Sequence, residues 1–242
     1  MAGVDGLVPT RQDPFEDAIK TVHLGTRFFG AVGTNRLTAH DGMDLFVPKG
    51  TPVQVPAEKA VLIGVTRQDS IPGETMGNAL LFFVPDKRRP YFLALLHLDK
   101  RTFKVLKEKD IGTELVSEPG VSSIVAYTGN SASMPNPHLH VTATTRFQIA
   151  GKLYSAGDFM EIYEGKAMSA AFLASLNPDS KSGVTSITPP RARDIKDRKG
   201  LLAAGYLNPE ELMGQGLRFS TRPPRHLTEE TVKTPQKLAP SR

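Results

Sequence analysis

The chemistry in this sequence is concentrated in histidine. Six are present, and four of them fall in three short contexts: His40-Asp41-Gly42-Met43-Asp44, His97, and His138-Leu139-His140. In an extended strand, side chains alternate between faces, so His138 and His140 share one face while Leu139 and Val141 point the other way, into a core. Two imidazoles about 7 Å apart on one face can serve a single metal site, one as ligand and one as neighbour. Pro135-Asn136-Pro137 is a stiff approach that fixes the angle of the first of them. Taken alone, the pair is equally compatible with an exposed polar strand.

His40 and Asp44 have a spacing that suits a helix face, but Gly42 between them and Leu45-Phe46-Val47-Pro48 after them argue for a turn entering a strand. Alone, this motif reads more readily as a surface turn. Combined, one His and one Asp from the first motif and one His from the last make a His2Asp set. Catalytic zinc sites typically use three protein ligands and keep the fourth position open, and imidazole nitrogen with carboxylate oxygen suits Zn2+. The set leaves two further histidines for proton transfer. His23, in Thr21-Val22-His23-Leu24, reads as a strand-surface or core-edge residue, and His226 as a solvated residue near the C-terminal end.

The elements that must position these side chains read as short strands. Thr51–Val55, Ala60–Thr66, Ala79–Val84, Tyr91–Leu98, Ile124–Thr128, Leu139–Thr145 and Phe159–Tyr163 are apolar runs separated by Gly, Pro and Asp. Pro85–Pro90 is a polar turn, so 79–98 reads as a long hairpin. After Glu164 the texture changes. Ala167–Leu176 has good helix formers, Ser180–Pro190 reads as a linker, and Asp194–Gly205 has helical character. Asn208-Pro209-Glu210-Glu211 is a helix start, with a cap, a first-turn proline and acids at the positive end. The predicted organisation is a polar leading segment over 1–20, a β-rich body over 21–165, and a basic, partly helical or flexible extension over 166–242.

Composition bounds the rest. The chain has 242 residues, 21 Gly, 19 Pro and no Cys. Disulfides and thiolate metal sites are therefore excluded, and a metal must be held by His and carboxylates. No apolar run approaches the ~18 residues of a membrane span. The first residues, MAGVDGLVPTRQDPFED, have neither a basic start nor an apolar stretch of signal type. The net charge of +5 belongs to one end: residues 1–176 hold 18 Lys and Arg against 18 Asp and Glu, and residues 177–242 hold 12 against 7. A basic end of this kind suits an anionic polymer, and no nucleic-acid partner is expected.

The ordered series H-x-G-x-D, strand-H-L and H-L-H resembles the lysostaphin/LytM-type zinc metallopeptidases. Pro48-Lys49-Gly50-Thr51-Pro52-Val53 is similar to that family's segment after the ligand Asp. Gly77-Asn78 and Tyr127-Thr128-Gly129-Asn130-Ser131 are similar to its later motifs. The likeness runs from about Ala39 to Val141. It implies His40, Asp44 and His140 as ligands of one Zn2+ per chain, and His138 and His97 as the proton-handling pair; His138, beside His140 on the same strand face, is the preferred general base, and the sequence leaves the two roles exchangeable. It also implies a compact antiparallel β-sheet with a substrate groove, and peptides, above all the cross-links of bacterial peptidoglycan, as substrates. The implied setting is secreted, periplasmic or cell-wall-associated, with any export signal already removed. The alternative within the family is a non-catalytic wall-binding or hydrolase-activating protein, which typically lacks some of these residues. Three departures stand out. Leu95 occupies a position where the family often has Tyr, Ser133–His140 lacks the usual Gly, and Leu106–Val125 is longer and more acidic than the fold needs.

Overall fold

The computed structural model describes residues 13–20, 28–32, 38–67, 76–117, 123–132, 136–149, 152–165, 172, 187–188, 194–213 and 215–219. Its centre is a seven-stranded antiparallel sheet. The strands are β1 (Met43–Leu45), β3 (Lys59–Thr66), β4 (Ala79–Val84), β5 (Tyr91–Leu96), β6 (Glu114–Val116), β8 (Leu139–Thr144) and β12 (Tyr206–Leu207). The order is β1-β8-β5-β4-β3-β6, with β12 also paired to β8. Two further strands, β2 (Pro52–Gln54) and β7 (Ile124–Tyr127), pair with each other, and β9 (Arg146–Ile149) lies between β10 (Lys152–Ser155) and β11 (Ile187–Thr188). The fold is mainly antiparallel β, as expected, and the 79–98 hairpin is formed by β4 and β5.

Both faces of the sheet are covered, which explains why β4 and β5 are continuous apolar runs. Leu80, Phe82, Leu93, Leu95, Leu139 and Val141 fill one core. Leu81, Phe83, Phe92, Ala94 and Leu96 fill the other, beneath Phe147 and Phe159. Leu95 is fully buried in the first core, paired with Val141 and on the face opposite that of His140.

One expected strand is a helix. Phe159–Tyr163 lies within α3 (Ala156–Glu164). Its start is fixed by a reciprocal cap: Asp158 N donates to Ser155 Oγ at 3.1 Å, and Ser155 N donates to Asp158 Oδ2 at 3.1 Å. Phe159 then enters an aromatic cluster, 5.0 Å from Phe92 and 5.6 Å from Phe83. F-M-E-I-Y reads as a short apolar run of strand length, but the preceding S-x-x-D decides the local structure.

The leading segment contains a short helix, α1 (Pro14–Lys20), whose Phe15 and Ala18 enter the first core. Towards the other end, α4 (Arg198–Ala203) lies inside the stretch given helical character, and α5 (Pro209–Met213) begins where the Asn208 cap was expected. Glu210 N donates to Asn208 Oδ1 at 3.1 Å. Part of the segment expected as an extension packs with the body. Leu207, Leu212, Leu217 and Phe219 lie in the first core, and Arg218 N donates to the Pro56 carbonyl at 2.8 Å. Apart from Phe172, the expected helix Ala167–Leu176 lies outside the described residues, as does all of 220–242. The Ser180–Pro190 stretch also lies outside them, except for β11.

Candidate metal centre

The β1–β8 pairing sets the site. Asp44 stands directly opposite His140 in the register, between Met43↔Val141 and Leu45↔Leu139. The turn before β1 then brings His40 back over the same pair. Gly42 makes this return possible: a Cβ there would collide with the Val141 carbonyl and lie 2.6 Å from His140 Nε2. The glycine of H-x-G-x-D is thus required by close approach to the ligand strand.

Three ligand-type atoms converge. His40 Nε2 lies 3.3 Å from His140 Nδ1 and 3.2 Å from Asp44 Oδ1, and His140 Nδ1 lies 2.8 Å from Asp44 Oδ1. The outward ring nitrogens have their own partners. His40 Nδ1 donates to the Phe28 carbonyl at 3.2 Å, and His140 Nε2 lies 2.9 Å from Thr142 Oγ1 and 3.7 Å from Asp41 Oδ1. With those protons placed outward, two imidazole lone pairs and a carboxylate would converge on a bound cation. Around a tetrahedral ion with Zn–N of ~2.0–2.1 Å, ligand atoms stand about 3.3 Å apart. Two of the three spacings match this value, and the third is that of a charge-assisted hydrogen bond. His40, Asp44 and His140 therefore form a group able to hold a metal.

Burial opposes ionisation of Asp44, but its hydrogen bonds with His140 and His40, together with their charge, hold its carboxyl well below the usual carboxylate range. It is a carboxylate at any ordinary pH.

His138 and His97 border this group. His138 Nδ1 donates to the Asn136 carbonyl at 2.9 Å, which leaves Nε2 turned towards the centre, 3.8 Å from Asp44 Oδ1. Phe46 stacks on its ring at 5.3 Å. His97 follows β5 with φ of 61°, a left-handed conformation rare for a residue with a side chain. The turn brings its ring to 4.7 Å from that of His138 and 5.8 Å from that of His140. Gly129 lies against this turn, where a Cβ would approach the His97 carbonyl oxygen to 2.6 Å. Desolvation, and then the neighbouring His140 and His138, lower the pKa of His97 to about 3, and burial also lowers that of His138. Burial thus favours the uncharged form of both rings.

All five residues expected from sequence are thus brought together, while His23 and His226 lie outside the described residues. Sequence reasoning missed Thr142, Asp41 and Phe46. Thr142 was findable: it lies two residues beyond His140 on the same strand face. A cavity of about 340 Å³ opens elsewhere, lined by Arg67, Asn78, Lys100, Arg101, Phe103 and Lys104 and by none of the five.

No family model and no curated protein matches the sequence. Among solved structures, LytU is 20% identical, covering 66% of this chain and 89% of its own, with a TM-score of 0.35. The catalytic domain of the antimicrobial peptidase lysostaphin from Staphylococcus simulans is 15% identical over 55% of this chain and 89% of its own, at 0.35. The catalytic domain of the prophage-encoded protein EnpA from Enterococcus faecalis is 19% identical over 54% and 85%, at 0.34. At TM-scores this low, the functional assignment rests on the side chains of the site.

Proposed function

We propose that this chain is a zinc-dependent endopeptidase, with His40, Asp44 and His140 holding one Zn2+ and His138 and His97 handling protons. The observation that carries this reading is the convergence of His40 Nε2, His140 Nδ1 and Asp44 Oδ1 beside the rings of His138 and His97. The motif series of the lysostaphin/LytM-type peptidases supports it and points to peptide bonds, above all those of peptidoglycan cross-links. When bound, Zn2+ supplies a Lewis acid for the carbonyl and lowers the pKa of water. Asp44 contributes a fixed negative charge. His138, oriented through Asn136 and Phe46, is placed to take the proton of the attacking water at Nε2. His97 is placed to stabilise developing negative charge or to pass a proton to the leaving amine.

This reading puts the protein at the cell wall: secreted, periplasmic or wall-associated. Among the described residues no helix is long and apolar enough to cross a membrane. The excess positive charge of residues 177–242 would add attraction to anionic wall polymer. The test is digestion of purified peptidoglycan, followed by mass spectrometry of the released peptides. New amino termini that vanish on adding a chelator and return with Zn2+ are expected. Walls left intact by a zinc-loaded protein would refute the substrate.

A further inference from the structure

His40 differs from the other two ligands in how it is held. Asp44 and His140 lie on paired strands, whereas His40 precedes β1 and belongs to no strand. Backbone hydrogen bonds fix it from two directions. On one side, Gly30 N donates to the His40 carbonyl at 2.8 Å and His40 N donates to the Ala31 carbonyl at 3.0 Å. On the other, Ala39 N donates to the Ile195 carbonyl at 2.8 Å. Ile195 is more than fifty positions beyond the last ligand.

The same distant segment supplies the packing beneath the turn. Phe29, Ala39, Leu201 and Tyr206 form a buried cluster of their own, with Ile195 and Ala204 against it. Arg198 lies so close to Gly30 that a Cβ there would come within 2.6 Å of Arg198 Cβ. Tyr206 also pairs with Thr144 across β12 and β8, and Leu207 with Ala143. The segment therefore grips the ligand strand with its backbone and the ligand turn with its side chains. The N-cap of α4 orients it: Gly200 N donates to Asp197 Oδ1 at 2.7 Å.

We propose that residues 195–207 are a clamp that sets His40 against β8, so that metal affinity depends on the packing of Leu201 and Tyr206, neither of which offers a ligand. This rests on the metal reading above. The cause is preorganisation. Two ligands are placed by strand register, and the third by a turn whose support comes from the clamp. Loss of support for a ligand typically weakens metal binding about 10–100-fold.

The test uses the full chain and measures Zn2+ affinity by competition with a chromogenic chelator, alongside the melting temperature in excess chelator. Tyr206→Ala and Leu201→Ala are compared with Leu212→Ala and Leu217→Ala, which remove equally buried side chains of the same C-terminal stretch from the main core. All four are expected to melt lower. Only the first two are expected to lose affinity, by about 10–100-fold, and Tyr206→Phe, which keeps the ring, to restore it. If Tyr206→Ala does not fold, Leu201→Val replaces it. Wild-type affinity in the folded clamp variants, equal losses in all four, or no recovery in Tyr206→Phe would overturn the clamp. A wild-type chain that binds no Zn2+ would overturn the metal reading and the clamp together, and would show before any variant is made.

Discussion

Strand β8 has two faces, and both are buried. Leu139, Val141 and Ala143 lie on one, each fully enclosed by the main core. His140, Thr142 and Thr144 lie on the other and are almost as enclosed, at 6%, 2% and 0% exposure. The first face is stabilised by apolar area removed from water. The second can be buried only if each polar atom finds a partner. His140 meets Asp44 and Thr142, and Thr144 Oγ1 donates to the Arg146 carbonyl at 2.6 Å. One strand thus carries an apolar face that fills the core and a polar face that belongs to the candidate metal centre.

Variants on the two faces should therefore fail differently. The largest effect is expected on the polar face. His140→Ala or Asp44→Ala should abolish Zn2+ binding and hydrolysis together, read by metal analysis and peptide cleavage. His138→Ala should keep its metal and lose activity by about 10²–10⁴-fold, the usual cost of a missing proton-transfer group. Loss of zinc in that variant would make His138 a ligand and reverse the reading of the H-L-H pair. Leu139→Ala, on the apolar face, should cost about 2–5 kcal/mol of stability, measured by denaturant unfolding. That loss should be the same with and without chelator, because no ligand moves. Thr142→Val, which keeps the shape but removes the partner of His140 Nε2, should weaken metal binding about tenfold, while Thr142→Ser should not.

The smallest effect concerns the charged end. A chain ending at Phe219 should hydrolyse a small soluble peptide at the wild-type rate and bind intact walls less well. Raising salt should remove that difference, because at physiological ionic strength the Debye length is about 8 Å. A chain ending near Asp179 should behave quite differently. It loses β12 and the core residues Leu212, Leu217 and Phe219, so its melting temperature should fall and its metal binding with it.

The contrast between the faces also explains what could be read from sequence. β3, β4, β5 and β8 were legible because each is a long apolar or alternating run flanked by turn residues. The convergence of His40, Asp44, His97, His138 and His140 was legible because their types and order match one motif series. The short strands β6, β9 and β10, of three or four residues, carry too little periodicity to stand out. The middle of α3 reads as a strand because Phe159–Tyr163 is a short apolar run, while the helix start is set by Ser155 and Asp158. Asp41 gains meaning only once the strand register sets Asp44 opposite His140 and brings His140 Nε2 to 3.7 Å from Asp41 Oδ1. The proposed clamp is not legible in the sequence because Ala39 and Ile195, far apart along the chain, are joined by a backbone hydrogen bond that no side-chain pattern marks.

The central claim is that the polar face of β8 is completed by one metal ion. The most direct test is the zinc content of the purified full chain beside that of His140→Ala, measured by elemental analysis after equilibration with a small excess of Zn2+ and removal of the free metal by gel filtration. The account predicts about one Zn2+ per wild-type chain and none retained by the variant. A full complement in His140→Ala, or none in the wild type, would contradict it.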